Sequence, residues 1–141
     1  LSYYEIKSRG VFLGDSAGVY VPQLDVTIPT TPAPFHLNLA LASLDKLYQL
    51  KPQRLYYSHF GPVENAVQRL ESYEAQLDLW AKAISEAMKK GDSLESIYTT
   101  ILSLDPQMRI AADFIKKNLA LRQSAAMRSV HGFVEYFKRK A

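Results

Sequence analysis

The spacing of apolar residues changes twice along the chain. Near the start it is short and strand-like. Ser2–Lys7 (SYYEIK) carries aromatic and β-branched residues and predicts a strand, with Arg9-Gly10 as a hairpin turn. Val11–Gly14 predicts a second, short apolar strand. Val19–Val21 and Val26–Ile28 read as short strands or extended loop. Pro22, Pro29, Pro32 and Pro34 then mark a loop too rich in proline for a central strand. From Phe35 to Leu50 the period lengthens: Leu37, Leu41, Leu44 and Tyr48 recur at helical steps, and Lys51-Pro52 ends the pattern. Arg54–His59 (RLYYSH) returns to strand character. The order strand, strand, loop, helix, strand predicts an α/β layered fold rather than a bundle.

Beyond Gly61-Pro62 the pattern is helical throughout. Pro62 in a first turn is expected to launch a long helix. Val63, Val67, Leu70, Leu77, Ile84 and Met88 form its stripe, with Tyr73 and Trp80 beside it. It should run to Lys90, about 42 Å at ~1.5 Å per residue, and stop at Gly91. Asp92 or Ser93 is expected to cap a short helix through Leu104. Asp105-Pro106 should break that helix and start the next, and the rest reads as helix, divided near Asn118 or Gly132. The expected organisation is residues 1–61 as an α/β unit with short strands and 62–141 as an all-helical region.

Composition narrows the function classes. At 48% hydrophobic and 22% charged, 141 residues can bury a core and are not a disordered segment. Without cysteine, disulfides and thiolate metal sites are excluded. That fits a cytoplasmic protein. No apolar run approaches the ~20 residues of a membrane span, and no signal peptide is visible. The net charge is +3, with Arg109, Lys116, Lys117, Arg122, Arg128, Lys138, Arg139 and Lys140 set against Asp113 and Glu135 in the last third. We read this basic excess as solvated helix surface rather than a nucleic-acid interface, because no RNA-binding motif with interleaved aromatics accompanies it. The chain opens on Leu1, directly in strand-like residues, which suggests an excised or truncated piece.

Two predicted strands end in residues suited to chemistry. One runs into Asp15, bracketed by Gly14 and Gly18. The other runs into His59, followed by Phe60-Gly61-Pro62. If those strands are neighbours, a carboxylate and an imidazole emerge at one edge, a pair that suits a divalent ion. The alternative is that Asp15 caps a turn and His59 caps the long helix. Gly14-Asp15-Ser16 also resembles the opening motif of the GDSL esterases, with Ser16 as nucleophile. That chemistry needs a histidine held by an acid, carried in the family as Asp-x-x-His. Ala33, Tyr56 and Arg128 stand three before His36, His59 and His131, so the element is missing. His131, one position off the stripe of Met127, Val130, Val134 and Phe137, reads as a helix-surface histidine. His36, at a helix start, reads as a surface position that could face a cleft.

SYYEIKSRGVFLGDSAGVY followed by YYSHFGP resembles the second half of the metallo-β-lactamase superfamily fold. In that family a strand ends in Phe-x-Gly-Asp and a later one in a histidine before Gly-Pro. The resemblance covers residues 1–63 and implies that Asp15 bridges two zinc ions and that His59 is the last zinc ligand. It implies the second half of an αββα sandwich followed by a helical appendage similar to that of glyoxalase II-like hydrolases. The family's His-x-His-x-Asp-His signature is absent from this chain, and so is the glutathione-binding His-x-x-x-Lys, since Glu135 stands four after His131.

The implied function is therefore the C-terminal part of a zinc-dependent hydrolase. It would act through metal-bound hydroxide on a small-molecule thioester, ester, lactone or similar bond, and be inactive alone. Half a sandwich would leave one sheet face uncovered, to be met by the missing N-terminal half or by self-association. Tyr3, Tyr4, Tyr20, Phe35 and Phe60 would line an apolar cleft or pack in the core. The rival expectation is a non-enzymatic interaction module that binds through its basic helical tail.

Overall fold

In a computed structural model, residues 1–58, 61–117 and 123–141 are described. The chain enters on β1 (Tyr3–Glu5) and turns back as β2 (Gly10–Gly14). A separate hairpin comes next, β3 (Val19–Val21) and β4 (Val26–Ile28). Then come α1 (Leu37–Gln49), β5 (Arg54–Tyr57) and β6 (Gly61–Val63). Four helices complete it: α2 (Ala66–Lys89), α3 (Leu94–Leu104), α4 (Pro106–Lys117) and α5 (Gln123–Lys140). The α/β character and the helical C-terminal part hold as expected.

The larger sheet has the order β1-β2-β5-β6. Its central pair, β2 and β5, is parallel, and the β3–β4 hairpin and α1 make the crossover between them. Pairing rows separate the two faces. Val11, Leu55 and Val63 share one row and are all buried in the core with Leu44, Leu70 and Leu77 of α1 and α2. Tyr3, Phe12, Tyr56 and Pro62 share the other. On that side Tyr3 is 65% and Phe12 46% exposed, and the Phe12 and Tyr56 rings stack at 4.4 Å.

One expectation fails here. Pro62 lies in a strand rather than a helix; β6 pairs antiparallel with β5, and the long helix begins only at Ala66. β6 is an edge strand, and an edge tolerates a residue with no N–H to donate. The stripe of α2 is correspondingly Ala66, Leu70, Tyr73, Leu77, Trp80, Ile84 and Ala87, so Tyr73 and Trp80 lie on its buried seam, not beside it. Ser93 rather than Asp92 caps α3, accepting from Ser96 N–H at 3.2 Å.

Side chains bind the small hairpin to the helices. Gln76 Nε2 donates to the Thr27 carbonyl at 2.9 Å, and the Thr27 N–H donates to Gln107 Oε1 at 2.8 Å. The edge of β4 is thereby satisfied by glutamines from α2 and α4 instead of by another strand. At the hairpin's tip, Tyr20 Oη donates to Asp25 at 2.7 Å and Arg69 donates to the same oxygen at 2.9 Å. The Tyr20 bond, then Arg69, hold the Asp25 carboxyl below its usual range. A depressed carboxyl stabilises the fold above its unfolded value of about 4, and that contribution is lost as pH falls through the folded value. Asp25→Asn should therefore lower the thermal midpoint at pH 7, with the gap to wild type closing below about pH 4. The Asp25 carboxylate is largely exposed, so the effect is expected to stay under about 1 kcal/mol. Thermal melts of both proteins across pH 3–7 check it; a gap that widens in acid would contradict it.

Candidate functional site

Asp15 owes its position to an irregularity in β2. Phe12 pairs with Tyr56 and Gly14 with Tyr57, so two steps on β2 face one on β5. That is a β-bulge, which bends a strand and re-aims the residues after it. Gly14 takes φ +57°, a conformation costly for other residues. Below it, the Ser16 N–H donates to the Leu13 carbonyl at 3.1 Å and the Gly18 N–H to the Asp15 carbonyl at 3.2 Å. Asp15 is left exposed at the end of the sheet where β5, its parallel neighbour, also ends. Beyond Ser58 the expected partner, His59, lies outside the described residues, as does Phe60.

Asp15 opens onto a cleft of about 290 Å³. Ser16 stands beside it. The rest of the lining is Thr30, Thr31, Pro34, Phe35 and His36, with Leu39, Ala40 and Ser43 of α1 and Tyr73 of α2. The volume falls at the low end for small-molecule sites. His36 is both exposed and cleft-facing; it is the N-cap residue of α1, with no side-chain cap bond. Tyr73 is buried, and burial pushes its phenol well above the usual range. The charge of Asp15 adds to that shift and a backbone bond to Thr30 offsets part of it.

The cleft wall is held by α5. Thr31 N–H donates to Ser129 Oγ at 3.2 Å, Thr31 Oγ1 to the Ser129 carbonyl at 2.9 Å, and Ser129 Oγ to the Pro29 carbonyl at 2.8 Å. Thr31 and Ser129 are both buried. Phe35 packs on Phe133 with ring centroids 4.7 Å apart, and Arg139 donates to the Phe35 carbonyl at 2.6 Å. Gly132 sits against the backbone of Thr31 and Pro32. Apart from Phe35, none of these positions stood out as functional in the sequence, because the partners lie about a hundred residues apart.

Other candidates are engaged in the turn or lie away from the cleft. Ser16 Oγ donates to the Leu13 carbonyl and lies 2.9 Å from Ser2 Oγ, so its proton serves the turn. His131 is half exposed on α5 and lies 3.6 Å from Glu135, as expected of a surface histidine. Tyr20 is buried against Tyr57, and Tyr3 is exposed on the sheet's open face. The basic excess is in part structural: Arg109 donates to the carbonyls of Leu102 and Ser103 at the end of α3, and Arg139 to Phe35.

Among the described residues, no three of His, Cys, Asp and Glu converge to hold a metal ion. Those residues do not make a complete metal centre by themselves. Among the described residues, no helix is long and apolar enough to cross a membrane.

No family model matches the chain. No curated protein matches it. Among solved structures it is similar to an archaeal metallo-β-lactamase superfamily protein from Sulfolobus tokodaii, with 34% sequence identity and a TM-score of 0.42. The match covers 48% of this chain and 25% of that one, so the matched stretch spans about a quarter of that protein's length.

Proposed function

We propose that this chain is the C-terminal part of a zinc-dependent hydrolase acting on a thioester, ester, lactone or similar bond. Asp15 and His59 are its contribution to a metal site whose remaining ligands come from an N-terminal half outside this sequence. Alone, it is inactive. The observation that carries the reading is the bulge at the end of β2, which delivers an exposed carboxylate to a cleft at the edge shared with β5. The spacing of Phe12-Leu13-Gly14-Asp15 and Ser58-His59-Phe60-Gly61-Pro62 supports it, as does the open aromatic face of Tyr3 and Phe12, where a second sheet would pack.

The test pairs the chain with a polypeptide that carries the His-x-His-x-Asp-His half. The pair should hydrolyse a thioester or lactone substrate, and Asp15→Ala in this chain should lower kcat/KM by at least about 100-fold, the upper end for groups one shell further from a metal. Full activity in that variant would remove Asp15 from the site.

A further inference from the structure

A second groove is remote from the cleft. It lies between α2 and α3, with a volume of about 710 Å³. Ala75, Leu79 and Ala83 of α2 and Leu104 of α3 form its apolar lining. Leu104 is 50% exposed, and Leu79 is only partly covered. Along the same side of α2 run Asp78, Lys82, Glu86 and Lys90, which rim the groove with alternating charge at four-residue steps.

That row is complementary to itself when reversed. Laid antiparallel on a copy about a two-fold axis at residue 84, Asp78 meets Lys90 and Lys82 meets Glu86, with each pair formed twice. Isologous interfaces require this kind of self-complementarity. We propose that the α2–α3 groove is a homodimer interface in which α2 packs antiparallel on α2 of a second copy. The small residues Ala75 and Ala83 allow close approach, Leu79 and Leu104 are covered, and the charge row fixes direction and register. Glu86 now pairs with exposed Lys89 at 2.8 Å, a contact that exchanges readily for one across the interface.

The alternation of charge also supports a single helix, since residues four apart are neighbours on its surface. Charge exchange between two chains separates the two roles. Lys82→Glu sets a glutamate opposite Glu86 twice per dimer, and Glu86→Lys sets a lysine opposite Lys82 twice. Each single variant should weaken dimerisation roughly tenfold or more in sedimentation equilibrium of the full chain. An equimolar mixture of the two should recover the wild-type dimer, because each chain then meets its opposite. The double variant K82E/E86K should recover it as well. Both side chains are exposed, so unchanged far-ultraviolet circular dichroism will show that each variant is folded. A wild-type chain that stays monomeric at about 100 µM, a concentration at which an interface of even modest affinity is occupied, would overturn the proposal. So would a dimer indifferent to the single reversals, or singles that the mixture fails to rescue.

Discussion

Gly132→Ala is expected to destabilise the protein by about 3 kcal/mol, although it places a better helix former inside α5. Propensity alone favours alanine there by about 1 kcal/mol. Sterics decide against it. A Cβ on Gly132 would run into the Thr31 carbonyl and the backbone of Pro32, which cannot rotate away as a side chain could. Moving α5 off that loop also strains the buried Thr31–Ser129 and Ser129–Pro29 bonds, each worth about 1 kcal/mol. The thermal midpoint should fall by about 10 °C. Gly132→Val should be worse, since it adds bulk and a stiff χ1 to the same clash. The loop supplies part of the cleft lining, so both variants should also disturb the surroundings of His36. An alanine variant that melts higher than wild type would show that α5 is not in backbone contact with the loop.

Asp105→Ala is expected to cost about 4 kcal/mol, from several losses at one buried group. Asp105 is 3% exposed. Its Oδ2 accepts from Trp80 Nε1 at 2.7 Å and from Gln76 Nε2 at 2.9 Å. Its Oδ1 accepts the N–H groups of Gln107 at 3.0 Å and Met108 at 3.3 Å, which caps α4. Alanine removes the cap and leaves buried donors without their acceptor, at roughly 1–3 kcal/mol for each unsatisfied group. Asp105→Asn keeps the capping oxygen but turns an NH₂ toward the Trp80 N–H, so it should fall between alanine and wild type. Trp80→Phe removes the competing donor and should lessen the penalty of Asp105→Asn. Urea titrations of the two singles and the double variant measure that coupling. Additive effects would mean that Trp80 and Asp105 do not act together.

How much of this was legible in the sequence depended on distance along the chain. Local signals served well. The proline-rich loop, a helix expected over Phe35–Leu50 and found over Leu37–Gln49, a cap expected at Asp92 or Ser93 and the Asp105-Pro106 break are all read from neighbouring residues. Gly61-Pro62 misled because proline suits a first helical turn and an edge strand equally well. Only pairing with β5 decides between them. The buried polar contacts were invisible for a related reason. Gln76 sits in a helical stripe, where a polar residue reads as surface, until Asp105 and Thr27 arrive from elsewhere in the fold.

The candidate site divides in the same way. Phe-x-Gly-Asp at a strand end marked Asp15, and Gly14 supplies the backbone freedom for the bulge that aims it. His36 was legible only as a helix-start histidine. Its place in the same cleft as Asp15 depends on the loop that Thr31, Phe35 and Gly132 hold against α5.

The central claim is that Asp15 is a ligand in a zinc site shared with another half. Crystals of the chain bound to a His-x-His-x-Asp-His polypeptide, measured at the zinc absorption edge, test it most directly. Anomalous peaks are expected within about 2.2 Å of Asp15 Oδ and of His59. A complex that binds zinc with Asp15 turned away from every peak would contradict it.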